Sequence, residues 1–314
     1  MDVSIAEAGE FGLIGRIVSR LGSGEATLIG PGDDAAVIRA SDGRVVASTD
    51  VLVEGRHFRR DWCGPEDVGH RAAAANLADI AAMGAVPTAL LVALCMPTGL
   101  DIGWAEGLAD GLSAEAGLVG ATVVGGDTSS SPTLTIAVTA LGDLRGADPV
   151  RRDGAKPGDV LALCGRIGYA AAGLTVLSRG FRTPKLLVEA YRRPVVPYAA
   201  GPQAARLGAT SMIDVSDGLL QDLGHIATAS SVGIDVRRDA FELPGQMRDA
   251  ASALGVDPYL WLLAGGDDHP LAATFPPGVT LPPEWRVVGS VQDGSTVTVD
   301  GKAWTGGTGW DHFR

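Results

Sequence analysis

Lysine is nearly missing from this chain: among 314 residues only Lys156, Lys185 and Lys302 carry an ε-ammonium. With 25 Lys and Arg against 37 Asp and Glu, the formal charge is −12, which excludes a surface that grips nucleic acid through its phosphates. No GxxxxGK(S/T) stretch occurs, so a P-loop is excluded too. A phosphorylated ligand would have to be neutralised by Arg, backbone N–H groups and cations held on carboxylates.

Cysteine is equally scarce. Cys63, Cys95 and Cys164 are odd in number, far apart and without metal-ligand spacing. That excludes a disulfide scaffold or thiolate zinc site and reads as reduced, buried thiols of a cytoplasmic protein. No apolar run reaches the roughly 18 residues of a spanning helix. The opening MDVSIAEAGEFGLIGRIV carries acids where a secretory leader carries Lys or Arg, so neither export nor membrane spanning is expected.

Glycine, by contrast, is abundant. Its 44 residues are about twice the usual share of roughly 7%, while 46% hydrophobic residues support a packed globule with many tight turns. The length allows two domains. An Ala-rich helix is expected from about Glu66 to Met83, stopped by Gly84. Strand TALLVALCM, helix DIGWAEGLADGLSAEAGL and strands ATVVGGDTSSSP and TLTIAVTALG follow. Strands alternating with helices, with some strands adjacent, predict an α/β fold with mixed sheets. The polar, Gly- and Pro-rich stretch from Gly142 to Asp159 is the candidate boundary, dividing the chain into 1–145 and 146–314. Beyond it strand VLALCG, helix AAAGLTVLSRG, strand TSMIDVSDG and helix LLQDLGHIATAS are expected.

Carboxylates gather at four places: Gly32-Asp33-Asp34, Ser48-Thr49-Asp50, Gly125-Gly126-Asp127-Thr128 and Asp214-Val215-Ser216-Asp217, each expected at a strand end or turn. Asp79 adds another on the Ala-rich helix, three residues after Asn76. AAVI and RVVAS around SDG read as a β-hairpin. A two-residue loop would set Ala35 opposite Asp50, and a three-residue loop with left-handed Gly43 would set Asp34 there. Either register brings Asp33, Asp34 and Asp50 to one end. A single Asp beside Gly is ordinarily a turn residue. Four such sites, with hard oxygen donors and no clustered His or Cys, suit Mg²⁺ better.

In order, GDDAAV, STDVLVEGRHF, NLADIAAMGAVP, GGDTSSS, RRDGAKPGD, IDVSDGLLQDLGHI, GGDDHPL and GWDHF resemble the thiamine-monophosphate kinases. These belong to the superfamily that includes aminoimidazole ribonucleotide synthetase and selenophosphate synthetase. The likeness runs from about Gly9 to Phe313. It implies a two-domain α/β fold of the aminoimidazole ribonucleotide synthetase type, with the N-terminal domain binding ATP and magnesium and pairing into a homodimer. The C-terminal domain would complete the phosphate and substrate site. The implied reaction moves the γ-phosphoryl of ATP to thiamine phosphate without a protein nucleophile, assisted by several Mg²⁺ ions. Carried over by position, Asp34, Ser48, Thr49, Asp50, Asp79, Asp127 and Asp214 would be magnesium ligands, with Asp217 at an outer metal site. Gly126, Asp127, Arg152 and Ser216 would contact ATP, and His57, Asp267 and Trp310 would hold thiamine phosphate. Where the family usually reads GGEDYEL this chain reads GGDDHPL, so Asp267 is one methylene shorter and would reach its substrate through water or a small loop shift. The other readings are a superfamily member with a different phosphate acceptor, and an acidic metal-binding protein without catalysis, which would need neither Arg152 nor Trp310.

Overall fold

The computed structural model describes residues 4–31 and 35–310. The chain forms two compact units, Met1–Ile80 with Ala85–Gly146, and Ala81–Gly84 with Ala147–Arg314.

In the first unit, α1 (Ile5–Val18) opens on a capping box: Glu7 N–H donates to Ser4 Oγ at 3.3 Å, and Ser4 N–H donates to Glu7 Oε2 at 2.8 Å. β1 (Thr27–Ile29) and β2 (Val37–Ile38) pair with each other. β3 (Val46–Val53), α2 (Pro65–Ala82), β4 (Val86–Met96), α3 (Ile102–Gly117), β5 (Thr122–Ser130) and β6 (Thr135–Asp143) follow. The four long strands form a sheet in the order β3-β6-β4-β5, parallel between β4 and β5 and antiparallel elsewhere.

Period-two alternation gives this sheet two different faces. Ile136, Val138, Ala140 and Leu90 are fully buried on one, and Gly142 there lies so close to Ile80 that a Cβ would come within 2.2 Å of it, which places α2 against this face. The other face leaves Val51 46% and Leu91 37% exposed. Alanine suits α2 because little room surrounds it: Ala72, Ala73, Ala74, Leu77 and Ala78 have no exposed surface. Its approach to α3 is closer than side chains allow. A Cβ at Gly69 would lie 2.3 Å from Leu108 O, and one at Gly111 would lie 2.1 Å from Glu66 O. Glycine here sets the spacing of two helices rather than a turn.

Among the described residues the expected hairpin is not seen. β2 is two residues long and pairs with β1, whereas all eight residues of β3 pair with β6, from Val46 opposite Gly142 to Val53 opposite Thr135. The described part of β2 is taken up by β1, and β3 stands at the edge of its own sheet. SDG does turn the chain, with Gly43 at φ +79°, but its partners are elsewhere: Ser41 Oγ donates to Asp143 Oδ1 at 2.8 Å, and Asp42 Oδ1 accepts the Arg44 N–H. On its β6 side Asp50 faces Val138, and among the described residues no pairing joins β2 to β3, so the register with Ala35 opposite Asp50 is not found, while the register with Asp34 opposite Asp50 lies outside the described residues. Asp33 and Asp34 lie outside the described residues.

The second unit contains a 3₁₀ turn at Arg152–Gly154, then β7 (Val160–Cys164), α4 (Tyr169–Ser178), α5 (Lys185–Arg192), α6 (Ala200–Arg206), β8 (Ser211–Asp214) and α7 (Leu219–Ser230). β9 (Gly233–Val236), α8 (Gly245–Leu254), α9 (Pro258–Ala264), β10 (Leu271–Phe275), β11 (Trp285–Gln292) and β12 (Val297–Val299) complete it. The sheet order is β12-β9-β11-β7-β10-β8, antiparallel except for β12 beside β9. β10 is an interior strand, and LAATF is buried at every residue, so both faces of the sheet are covered there. Both sheets are mixed, as the alternation of elements predicts.

Candidate active site

In the first unit, α2 and β3 build one polar cluster. Ser48 and Asp50 share the α2 side of β3, two residues apart. Ser48 Oγ donates to Asp79 Oδ2 at 2.6 Å, and the Asp50 N–H donates to Asn76 Oδ1 at 3.0 Å. Asn76 is fully buried, and its Nδ2 donates to Ala72 O at 2.9 Å. Leaving such an amide unpaired would cost about 1–3 kcal/mol, so it fixes the β3 backbone from which Asp50 projects. The sequence named Asn76 only as a neighbour of Asp79. Its signal was a buried amide three residues before an acid on one helix face.

Thr49 and Asp127 lie apart from that cluster. Thr49 Oγ1 donates to Val138 O and accepts from Thr139 Oγ1, so its hydroxyl is committed within the sheet. Cross-strand register links Asp50 to Val138, Val92 and Gly126, three strand spacings away. That is roughly 14 Å at the usual strand separation. Asp127 alternates to the opposite face, the one that carries Thr49. Neither Asp50 nor Asp127 sits at a strand end: both lie inside long strands, β3 and β5, correcting the sequence reading. β5 is irregular instead, because its register with β4 shifts between Leu90 and Leu91 and leaves Val124 as an extra residue. Such a bulge re-aims the residues after it, here Gly125-Gly126-Asp127. Gly126 has no alternative, since a Cβ there would lie 1.9 Å from Val92 O. A cavity of about 700 Å³ adjoins this stretch, lined mainly by apolar residues such as Ile17, Leu91 and Leu112.

His57 follows β3 in a tight turn anchored by buried Phe58. Its Nδ1 accepts the Val53 N–H at 2.9 Å, so in the neutral ring Nε2 carries the hydrogen and is a donor.

The second unit brings together every site residue assigned to it except Arg152. Asp214 ends β8, and Ser216 and Asp217 occupy the following loop. Asp267 N–H donates to Ser216 O at 2.8 Å, while Trp310 N–H donates to Asp217 O at 2.9 Å. Gly266 passes so close that a Cβ would meet Ser216 O at 2.0 Å. Asp267 and His269 both adopt left-handed backbone, at φ +68° and +53°. Non-glycine residues there are uncommon and store strain that surrounding contacts must hold. His269 does so through Nδ1, 3.1 Å from Asp214 Oδ2, with both side chains buried. Arg152 lies at the far end of α7, where Ser230 Oγ donates to Arg152 O at 2.8 Å and accepts the Ala155 N–H. Its exposed guanidinium has no ion-pair partner among the described residues.

Two acids missed in the sequence complete this region. Asp222 Oδ2 accepts the N–H groups of Asp217 and Gly218, both at 3.1 Å, and so shapes the loop carrying Asp217. Burial, reinforced by the charges of Asp214 and Asp217, pushes its carboxyl up to about 7 against those two hydrogen bonds. Asp268 Oδ1 accepts the Ala170 N–H at 2.9 Å in the first turn of α4, whereas Oδ2 is buried without a partner. Burial pushes this carboxyl up to about 7 as well.

The donor set fits magnesium in kind. It is all oxygen, and among the described residues no group of three or more His, Cys, Asp or Glu is arranged to hold a metal ion by itself. Mg²⁺ characteristically takes one or two carboxylates and completes its shell with waters and substrate phosphates. Ser48, Asp50 and Asp79 offer such an open set in the first unit, and Asp214 with Asp217 in the second.

Two mixed-sheet units define the class, the first with carboxylates on β3, α2 and β5 and the second with carboxylates at the end of β8 and in the loop after it. Residues 32–144 match the family described as AIR synthase related protein, N-terminal domain. A thiamine-monophosphate kinase of Mycobacterium tuberculosis is 47% identical over 312 residues, covering 99% of this chain and 93% of the relative. The structure of a thiamine-monophosphate kinase from Stenotrophomonas maltophilia superimposes with TM-score 0.82 at 32% identity, over 97% of this chain and 99% of that one. One described as AaThiL complexed with AMPPCP and TMP gives 0.81 at 32% identity, over 98% of each. The chain belongs to the thiamine-monophosphate kinase family and is a phosphotransferase with the AIR synthase-like fold.

Proposed function

We propose that this enzyme phosphorylates thiamine phosphate with ATP, giving thiamine diphosphate and ADP, the last step in making thiamine diphosphate. The observation that carries the reading is the joining of Ser216 to Asp267 and of Asp217 to Trp310 by backbone hydrogen bonds, which gathers nucleotide, metal and substrate residues in one place. Ser48, Thr49, Asp50, Asp79, Asp127, Asp214 and Asp217, with Asp34, would hold several magnesium ions. Bound magnesium would neutralise charge on the phosphate oxygens. Gly126 gives a backbone approach for ATP, and Arg152 and Ser216 add polar contacts. The attacking group is a phosphate oxygen of the substrate, so the protein's task is to bring two polyanions into line and screen their repulsion. His57 donates from Nε2, Asp267 orients the substrate, and Trp310 offers half-exposed ring surface to a cationic thiazolium.

Residues 1–145 would act as the ATP- and magnesium-binding domain and 146–314 as the domain completing the substrate site. The apolar, partly exposed sheet face with Val51 and Leu91 supports a homodimer through the first unit. Among the described residues no helix is long and apolar enough to cross a membrane, in keeping with a cytoplasmic enzyme. The direct test is incubation with Mg-ATP and thiamine phosphate, following thiamine diphosphate. No product while ATP still binds, or reaction of a different phosphorylated acceptor, would sink the substrate assignment.

Two substitutions separate the substrates. Arg152→Lys should raise KM for ATP roughly tenfold and leave thiamine phosphate nearly unaffected, because a point charge cannot reproduce the guanidinium fork. Equal losses for both would remove Arg152 from the ATP site. Trp310→Ala should raise KM for thiamine phosphate about tenfold through loss of a ring–cation contact, with KM for ATP little changed.

A further inference from the structure

Trp310 is 51% exposed, yet its backbone is anchored, and one side chain outside the assigned site adds to the backbone bond it makes to Asp217 O. Gln221 stands in the first turn of α7, where a backbone N–H has no partner within the helix. Its N–H donates instead to Thr308 O at 3.1 Å. Its amide Nε2 lies 2.7 Å from Trp310 O and 3.3 Å from Asp217 Oδ2, so both amide hydrogens have acceptors. Gly309, between the two acceptor carbonyls, is pressed against this side chain: a Cβ there would come within 2.6 Å of Gln221 Oε1 and 2.8 Å of Asp217 O.

We propose that Gln221 is a positioning residue for phosphate-acceptor recognition, fixing Trp310 relative to the Asp217 carboxylate. This rests on the reading of Trp310 as a substrate contact. The amide bridges a metal-site carboxylate and the chain segment that presents the aromatic ring, so the ring's place is set by α7, a rigid element. Without the two N–H donors the 308–310 segment loses its side-chain tie to α7 and to the Asp217 carboxylate. Trp310 then samples positions in which its ring misses the thiazolium. The cost falls on acceptor binding and not on transfer.

The test is a double-mutant cycle on the full chain with thiamine phosphate, Mg²⁺ and ATP, together with calorimetric binding of thiamine phosphate without ATP. Gln221→Met keeps the length and removes both donors, and Gln221→Leu removes them with a shorter side chain that serves if the Met variant folds poorly. Either should raise KM and the calorimetric Kd for thiamine phosphate about fivefold, with kcat and KM for ATP within twofold of the parent. In the Trp310→Ala background, which already lacks the ring, the same change should add less than twofold. Additive effects, or a fall in kcat at unchanged KM, would overturn the positioning role. If Trp310→Ala itself left thiamine phosphate binding unchanged, the substrate reading would fall first and the proposal with it.

Discussion

Asp50→Asn is expected to lower kcat by about 10²–10³-fold, the usual scale for losing one preorganised stabiliser of transition-state charge, while the protein still folds. What ties β3 to α2 here is the Asp50 N–H on Asn76 and the Ser48 hydroxyl on Asp79, and neither involves the Asp50 carboxylate. The side chain is exposed on an edge strand, and Asn matches it in size. What is lost is a negative charge and an oxygen suited to a hard cation. Asp127→Asn should act on the same scale from the other edge of the sheet. Asp110→Asn, which removes only an exposed pairing with Arg20, should leave turnover unchanged and serves as the control. Near-normal kcat for Asp50→Asn at saturating Mg²⁺, with the melting midpoint preserved, would count decisively against metal-assisted transfer.

How much of this was legible in the sequence depended on whether the determinant was local. The Ala-rich helix was, because Gly84 marks its end with φ +76° and the alanines announce close packing. The carboxylate clusters were legible as chemistry but not as geometry. SDG looks like a hairpin turn, and a turn it is, yet the described partner of β3 is β6, some ninety residues away, whose eight-residue ladder no local pattern announces. The same non-local pairing put Asp50 and Asp127 on opposite faces. Asn76, Gln221 and Asp268 escaped for a related reason: their side chains serve backbone groups from other parts of the chain. Only the order of motifs, which already encodes the fold, carried Asp217 and Trp310 to one place.

Asp268 makes the fold itself sensitive to pH. Its carboxyl is pushed up to about 7 by burial and by the neighbouring Asp267 charge, against the Gly168 and Ala170 N–H bonds and the opposing influence of His269. In the unfolded chain the same group titrates near its ordinary 3.8. Between these values the folded state binds more protons than the unfolded one, so stability falls as pH rises from about 4 to about 7 and then levels off. The full difference of about three pH units corresponds to roughly 4 kcal/mol, of which about 2–3 kcal/mol is lost between pH 5 and pH 8. Denaturant unfolding in EDTA should therefore show a less stable protein at pH 8. Asp268→Asn, which keeps an oxygen for the α4 N–H groups and cannot ionise, should remove that part of the slope, leaving the share that belongs to Asp222. Stability that is flat or rising over this interval in the parent protein, or a slope unchanged in Asp268→Asn, would show that the carboxylate has found a partner for Oδ2. The loop presenting Asp267 and His269 would then be held by a charge and not by a neutral cap.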